Sequence, residues 1–293
     1  MKPIDPDDSR IIRVFPRETS GTPRDDGVRV NCLPELWDNA DTVLVSVTFD
    51  SDRSLGETLA KEWECVAKDV RIGGPAYDDP GGEFVPGLFL RDGYTITSRG
   101  CPGKCPGCKV PEREGAIRLL PIRDGYMLQD NNILACPEDH QRNVFAMLGR
   151  QSRRPQFTGG LESRLLKPWH VDEFCVLNPL SLWFAYDKKG DYAPLRKAVA
   201  MLREAGLMET RRVYCYVLIG MPGDTLEAAQ NRCQQVARLG VFPQSMLLNG
   251  GDDITTATLK EWRSLHREWA SKIIVGSKMG EYATGTCTPA KQA

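Results

Sequence analysis

Hydrophobic residues between positions 94 and 248 fall into short strand-like runs separated by longer amphipathic stretches. The runs begin at six positions, Tyr94, Gly125, Pro155, Ser181, Arg212 and Pro243. Their spacing of about 30 residues is the length of one βα unit. Strands that alternate with helices form a parallel sheet covered by helices, and such a sheet carries its functional groups at the carboxyl ends of its strands. The pattern therefore predicts six βα units in series.

Apolar positions at helical spacing predict the helices between these strands. One helix is predicted over residues 137–151 and another over 192–206. The helix after the fifth strand is predicted to start at Asp224, which stands three residues before Glu227 as in a capping box. A further helix is predicted over residues 256–270, and the last 13 residues, from "EYATG" onward, are expected to be poorly ordered.

The first 90 residues contain one clear βαβ unit. Residues 41–49 form a β-branched apolar run, residues 54–69 have apolar positions at helical spacing, and residues 70–74 form a short strand. The following stretch, residues 75–93, is rich in proline and glycine and predicts a boundary. The expected organisation is an N-terminal segment at 1–90, a core at 91–250 and a helical extension at 251–293.

Composition excludes several classes of protein. The 293 residues are 41% hydrophobic, and the 38 basic residues nearly balance 39 acidic ones, so the chain lacks the charge of a non-specific nucleic-acid or anionic-membrane binder. No apolar run approaches the ~18 residues of a membrane span, and the N-terminus lacks the apolar region of a signal peptide. We therefore expect no membrane association and a cytoplasmic location.

Three of the ten cysteines lie together directly after the first of the six predicted strands. Cys101, Cys105 and Cys108 occupy the sequence "CPGKCPGC". Thiolates are soft ligands, so three of them on one loop favour a shared metal centre in a reducing compartment. The residues leave two interpretations open. One is an iron-sulfur cluster with one iron left for an exogenous ligand; the other is a structural zinc site completed by Cys136 or His140.

The C-x3-C-x2-C pattern at this position is similar to the cluster loop of the radical S-adenosylmethionine (SAM) superfamily. The stretch "YVLIGMPGDTLEAA" resembles the fifth-strand glycine motif of that family, which implies that Gly220 and Gly223 lie beside the adenine of SAM. One departure is Gly107, which stands where the family usually has an aromatic residue before the third cysteine. The resemblance covers residues 94–248.

The resemblance implies a fold and an activity. The expected fold is α/β, an open (β/α)6 partial TIM barrel with a small N-terminal Rossmann-like βαβ segment and a short C-terminal helical extension. The expected protein is an enzyme whose 4Fe-4S cluster, held by Cys101, Cys105 and Cys108, cleaves SAM to a 5′-deoxyadenosyl radical that abstracts hydrogen from substrate. A flavodoxin- or ferredoxin-type protein is the expected electron donor.

Polar and glycine residues at the other strand ends are candidate ligands of SAM or substrate. The family often holds the SAM amino group with a Gly-Gly-Glu sequence after its second strand; here Asp130 follows the second strand and Glu162 the third, so either residue fits that role. Asp187 follows the fourth strand, where family members bind the ribose hydroxyls. Glu162 and Cys136 are candidate catalytic residues, Cys136 as a hydrogen-atom donor. The candidate cofactor-binding set is Asp130, Asn131, Asn132, Gly159, Gly160, Glu162, Asp187, Gly220 and Gly223.

The N-terminal segment resembles the end of the cobalamin-binding Rossmann domain that precedes some radical SAM barrels. Because the first 90 residues contain no histidine, the usual lower axial ligand is absent, and cobalamin is not expected as a cofactor. The neutral charge favours a small-molecule or single-monomer substrate. A nucleotide or a nucleic-acid base is the alternative substrate, although charge does not indicate nucleic-acid binding, and a non-catalytic zinc or iron-sulfur module is the alternative to an enzyme.

Overall fold

A computed structural model describes residues 10–105, 107–208, 212–248 and 256–284. The chain divides into two compact units. The first comprises Met1–Pro102 and Val110–Asp130, and the second comprises Gly103–Lys109 and Asn131–Ala293. Each unit contains parallel β-strands and α-helices. The predicted division after residues 90 and 250 stays a prediction.

The first unit is built mainly on a parallel sheet. Its elements are β1 (Ile11–Phe15), β2 (Val28–Val30), β3 (Thr42–Ser46), α1 (Arg53–Trp63), β4 (Asp69–Gly73), β5 (Tyr94–Thr95), β6 (Ser98–Arg99), α2 (Val110–Arg113), β7 (Arg118–Leu119) and β8 (Met127–Leu128). One four-stranded parallel sheet has the order β2-β1-β3-β4. Strands β5 and β8 pair in parallel, and β6 and β7 pair antiparallel.

The core of the first unit confirms the predicted βαβ unit as β3, α1 and β4. Val43 and Val45 of β3 are buried against Leu59 and Trp63 of α1. Trp63 is fully buried, and its indole N–H donates to the Cys32 carbonyl at 3.1 Å. Strands β1 and β2 extend this unit and were not predicted from the sequence.

The second unit holds four parallel strands in the order β12-β11-β10-β9. Its elements are α3 (Glu138–Gly149), β9 (Gln156–Leu161), α4 (Pro168–Leu177), β10 (Ser181–Ala185), α5 (Tyr192–Glu204), β11 (Val213–Ile219), α6 (Leu226–Arg238), β12 (Phe242–Leu247), α7 (Thr256–Ala270) and α8 (Lys272–Thr284). All six predicted strands are present, as β5, β8, β9, β10, β11 and β12. The α/β class with parallel sheets is therefore confirmed, and the open (β/α)6 partial TIM barrel stays a prediction.

Burial alternates along the central strand of the second unit. In β11, Val213, Cys215, Val217 and Ile219 are buried, and the residues between them are half-buried. Cys233 of α6 is buried as well. The alternating burial shows that one face of this strand is covered more completely than the other, since successive side chains point to opposite faces of a sheet.

Two helix predictions need correction. The N-cap of α6 is Thr225, whose hydroxyl accepts the Ala228 N–H at 3.1 Å, and Asp224 instead pairs with Arg232. Helix α8 lies partly within the stretch expected to be poorly ordered, and residues 285–293 lie outside the described part of the chain. Within the described residues, no helix has the length and apolar character needed to cross a membrane.

A buried histidine joins helices α3 and α4. His170 is inaccessible to solvent, and its Nδ1 accepts the Lys167 N–H at 2.9 Å. The hydrogen of the neutral ring therefore lies on Nε2, which is 2.8 Å from Gln141 Oε1. Gln141 in turn donates to the Cys136 carbonyl at 2.7 Å. Burial lowers the pKa of His170 to about 4, because a buried imidazolium lacks hydration.

The protein is expected to lose stability as the pH falls, and His170 supplies part of the loss. Between the unfolded pKa of His170 and its lowered folded pKa, the unfolded chain binds more protons than the folded one. From pH 7.5 to pH 5 this term amounts to about 2 kcal/mol. Urea unfolding at both pH values should show a smaller loss in His170→Gln than in the wild type. Asp172→Asn, an exposed change on the same helix, should keep the wild-type loss; equal losses in all three proteins would contradict the assignment.

Candidate functional site

The cysteine loop is fixed at its base within the first unit. Strands β6 and β7 pair on either side of it, and the Gly100 N–H donates to Glu114 Oε2 at 3.1 Å. The Cys101 N–H donates to the Gly115 carbonyl at 3.1 Å. Gly100 has a φ of +83°, and a Cβ there would lie 2.2 Å from the Ala116 carbonyl oxygen, so only glycine fits. These contacts hold the two ends of the loop together. We call residues 98–101 and 114–119, which make them, the neck of the loop.

Glu114 anchors the neck, and its role was not predicted from the sequence. Its side chain is 1% exposed, and Arg113 pairs with it at 2.7 Å, which compensates the buried charge. Its second oxygen receives the Gly100 N–H. A carboxylate four residues before β7 resembles any exposed loop residue in sequence, so no local pattern indicates this role.

The three thiols are accessible and free of disulfide bonds. Cys101 is half-buried, and Cys105 and Cys108 are exposed. The Cys108 N–H donates to the Cys105 carbonyl at 3.2 Å, which forms a tight turn between these two residues. Gly107 in that turn has a φ of +68°, and a Cβ there would lie 3.2 Å from Leu248 Cδ2. Leu248 thus lies against the position where the family usually has an aromatic residue.

Carboxylates of the second unit surround the Cys105 thiol. Partial burial, together with the nearby negative charges of Asp187, Cys108, Glu162 and Asp191, raises the pKa of Cys105 to about 11. The unligated thiol is therefore protonated at neutral pH. Because only a thiolate ligates metal, cluster binding at Cys105 requires the loss of a proton.

One arginine joins the ends of β9 and β10. Arg164 pairs with Glu162 at 2.9 Å and also with Asp191. The other oxygen of Asp191 accepts the N–H groups of Asp187 and Lys188 at 3.0 Å and 2.9 Å. Arg164 and Asp191 were not among the predicted site residues. Their only local signal is that each residue lies in the segment between a strand and the helix that follows it.

Asp187 continues this network to β11. Its carboxylate accepts the Leu218 N–H at 3.0 Å. Burial raises the pKa of Asp187, the Leu218 hydrogen bond lowers it, and the negative charge of Asp191 raises it again. The predicted position of Asp187 at the end of the fourth of the six predicted strands, here β10, is confirmed; its contact with ribose stays a prediction.

A second ion pair shapes the loop after β11. Asp224 accepts the Gly220 N–H at 3.1 Å and pairs with Arg232 at 2.7 Å. Arg232 also donates to the Leu218 carbonyl at 2.9 Å. The glycine-bearing segment that includes Gly220 and Gly223 is therefore held by a largely buried pair. The predicted adenine contact of these glycines stays a prediction.

Asp130, in the first unit, is occupied by hydrogen bonds. It is 1% exposed; Oδ1 accepts the Thr97 N–H at 2.6 Å, and Oδ2 accepts the Thr97 and Ser98 hydroxyls at 2.7 Å and 2.6 Å. Burial raises the pKa of Asp130, although these hydrogen bonds lower it. The carboxylate therefore ties the end of β8 to the segment that precedes the cysteine loop.

The remaining candidates lie in less accessible places. Cys136 and Asn132 are buried, and Asn131 is half-buried. Gly159 and Gly160 lie inside β9, where its pairing with β10 shifts register, and the strand continues to Leu161. The two glycines therefore lie within the last part of the strand, at the irregularity in its pairing. Their part in cofactor binding stays a prediction.

Comparison with known proteins places this fold beside one class of enzyme. The structure is similar to that of a radical S-adenosylmethionine methyltransferase. This neighbour is TsrM from Kitasatospora setae, solved with cobalamin and a [4Fe-4S] cluster bound; the match has a TM-score of 0.58 and 12% sequence identity, and it covers 81% of this chain and 74% of that chain. No protein-family model matches the chain, and no curated protein matches it in sequence. At 12% sequence identity, this similarity is evidence about the fold of the chain alone.

The comparison corrects the expectation about cobalamin. It was wrong to exclude cobalamin, because TsrM, a protein of similar fold, binds cobalamin together with its cluster. Two physical reasons explain the error. The N-terminal segment is a four-stranded parallel sheet rather than a lone βαβ unit. The missing histidine removes one axial ligand of cobalt and says nothing about contacts to the rest of the cofactor.

Proposed function

We propose that this protein is a radical SAM enzyme that binds a 4Fe-4S cluster through Cys101, Cys105 and Cys108. The cysteine loop carries the proposal, because three accessible thiols follow a neck that is closed without metal. The donor set fits the group: thiolates suit iron-sulfur clusters, and three of them leave one of four irons for another ligand. When bound, the cluster supplies the electron that cleaves SAM to a hydrogen-abstracting radical.

Electrostatics at the ends of β9 and β10 support SAM as the second ligand. Arg164 pairs with two carboxylates here, those of Glu162 and Asp191, and burial together with the charges of both raises the pKa of a third, Asp187. The remaining negative charge suits the ammonium and sulfonium cations of SAM. We assign Glu162 and Asp187 to SAM contact, with Arg164 and Asp191 as positioning residues.

Asp130 is assigned a positioning role in this proposal. Both of its oxygens already accept hydrogen bonds from Thr97 and Ser98, so it orders the chain that leads into Cys101. Glu162 is then the better candidate for the SAM amino group. The further candidates Asn131, Asn132, Gly159, Gly160, Gly220, Gly223 and Cys136 stay predicted site residues.

The first unit supports a cobalamin site and hence methyl transfer as the reaction subclass. In the order β2-β1-β3-β4 the strand order reverses between β1 and β3, and ligands bind outside the carboxyl ends of strands at such a point. There Arg17 donates to Asp52 at 2.6 Å and lies 5.3 Å from the centre of the Phe49 ring. The Phe49 ring offers an aromatic face to a large planar cofactor, and Arg17 and Asp52 offer it charged hydrogen-bonding groups.

The substrate class follows from the charge of the chain. With 38 basic and 39 acidic residues, the protein has no general attraction for polyanions, so we propose a small molecule or a single monomer as substrate. A nucleotide is the second candidate. A flavodoxin- or ferredoxin-type donor supplies the electron.

The test is an anaerobic assay of the reconstituted full-length protein with dithionite and SAM. We expect 5′-deoxyadenosine or S-adenosylhomocysteine by mass spectrometry, and much less of either product from Glu162→Gln and Asp187→Asn. Asp172→Asn serves as the control. An intact cluster that leaves SAM unchanged would indicate a non-catalytic iron-sulfur protein, and stoichiometric zinc without sulfide would indicate a zinc module. The visible spectrum after incubation with hydroxocobalamin and desalting reports cobalamin binding.

A further inference from the structure

A cavity of about 380 Å³ lies in the second unit, between the turn Ser163–Leu165 and helix α5. The volume is in the range of small-ligand sites, ~300 to 1,000 Å³. Its lining residues are Ser163, Arg164, Leu166, Ala193, Pro194, Lys197, Ala198 and Met201. The wall is mainly apolar, and it carries two cations.

The two cations differ in what they already bind. Arg164 is held by Glu162, by Asp191 and by the Gly190 carbonyl at 3.3 Å. Lys197 is exposed and has no ion-pair partner among the described residues. Within the described part of the chain, Lys197 is therefore the cation at the cavity that has no paired carboxylate, and it stands beside an apolar surface.

We propose that this cavity binds a small monocarboxylic acid with an apolar body. The carboxylate pairs with the Lys197 ammonium, and the apolar body lies on Leu166, Ala198 and Met201. A single negative charge matches the one cation that has no paired carboxylate among the described residues. A phosphate dianion is disfavoured, because the carboxylates of Glu162 and Asp191 flank Arg164 at the same cavity.

The site does not depend on the proposed radical chemistry. None of its lining residues is assigned to the cluster, and Arg164, the one residue it shares with the proposed SAM site, has a positioning role there. Binding to it requires neither iron nor SAM. A failure of the cavity proposal is therefore distinguishable from a failure of the proposed function.

The test is calorimetric titration of the full-length protein with sodium octanoate. We expect octanoate to bind at least about tenfold more tightly than octan-1-ol, because only the acid pairs with Lys197. Lys197→Met should reduce octanoate affinity by about tenfold, and Ala193→Trp should block the cavity without changing its charge. Arg196→Met, an exposed change on the same helix and outside the cavity, is the matched control.

Each other outcome overturns the proposal. Equal affinities for octanoate and octan-1-ol would show that the cavity has no carboxylate selectivity. Wild-type affinity in Lys197→Met or in Ala193→Trp would place the binding elsewhere, and an equal loss in Arg196→Met would indicate non-specific charge attraction. Tighter binding of inorganic phosphate than of octanoate would reject a monocarboxylate as the ligand class.

Discussion

Replacement of Cys101, Cys105 and Cys108 by alanine in one variant is expected to remove the iron and sulfide of the reconstituted protein entirely. A cubane cluster has no strong alternative ligand once three thiolates are gone. The three side chains are exposed or half-buried, and the neck below them rests on Glu114 and Gly100 rather than on sulfur. The variant should therefore fold normally while losing both elements and all SAM cleavage.

The matched control replaces two exposed cysteines outside the loop, Cys65 and Cys175. That double variant should retain full iron and sulfide content. Measurement requires iron and acid-labile sulfide analysis, with circular dichroism to check folding. A cluster that survives the triple substitution would overturn the ligand assignment, and the same result would end the radical SAM proposal.

Asp130→Ala is expected to reduce the free energy of unfolding by about 3 kcal/mol. The substitution removes the acceptor of three hydrogen bonds from Thr97 and Ser98 at a site that is 1% exposed. Asp130→Asn should cost less, because the amide keeps one acceptor oxygen and the burial that raises the pKa of Asp130 already penalises a charge there. Urea unfolding of the metal-free protein at pH 7.5 gives both values.

Glu162→Ala is the control for this prediction. Glu162 is half-exposed and pairs with Arg164 near the surface, so its removal should change the free energy of unfolding by less than about 1 kcal/mol. If Asp130→Ala instead keeps wild-type stability and loses SAM binding, Asp130 contacts the cofactor directly and the positioning role is wrong.

Strong periodicity explains the part of the fold that the sequence predicts well. The strands that became β9 to β12 recur at the length of one βα unit and alternate with amphipathic helices, and they start within two residues of the predicted positions. The cysteine loop was equally visible, because three cysteines in eight residues are rare outside metal sites. Local sequence was sufficient to predict an element or a loop wherever its residue pattern lay within one short segment of the chain.

Strands and contacts that depend on distant residues were not predictable in this way. Strand β1 carries a fully buried arginine, Arg13, which is compensated by Asp25 and the Gly87 carbonyl. In sequence that arginine interrupts the apolar run. The pairing of β6 with β7 likewise involves only two residues on each side, too few for a periodic signal.

Two residues of the candidate functional site could not be predicted for the same reason, because their roles depend on distant parts of the chain. Arg164 and Asp191 become important because the parallel strands β9 and β10 bring their carboxyl ends together. Gly159 and Gly160 show the same limit, since resemblance to a family motif does not indicate that they lie inside β9 where its pairing with β10 shifts register. Motif similarity gives the residue type reliably, whereas the register of the sheet decides where that residue lies.

The closed neck of the cysteine loop bears on how the protein matures. Its contacts, from Gly100 to Glu114 and from Cys101 to Gly115, join peptide groups and a carboxylate, and none involves sulfur. We therefore expect the base of the loop to form without iron, so that the proposed cluster would be delivered to an already folded acceptor. On that proposal, loading is a separate and repeatable event, and a protein that loses its cluster to oxidation would be open to repair.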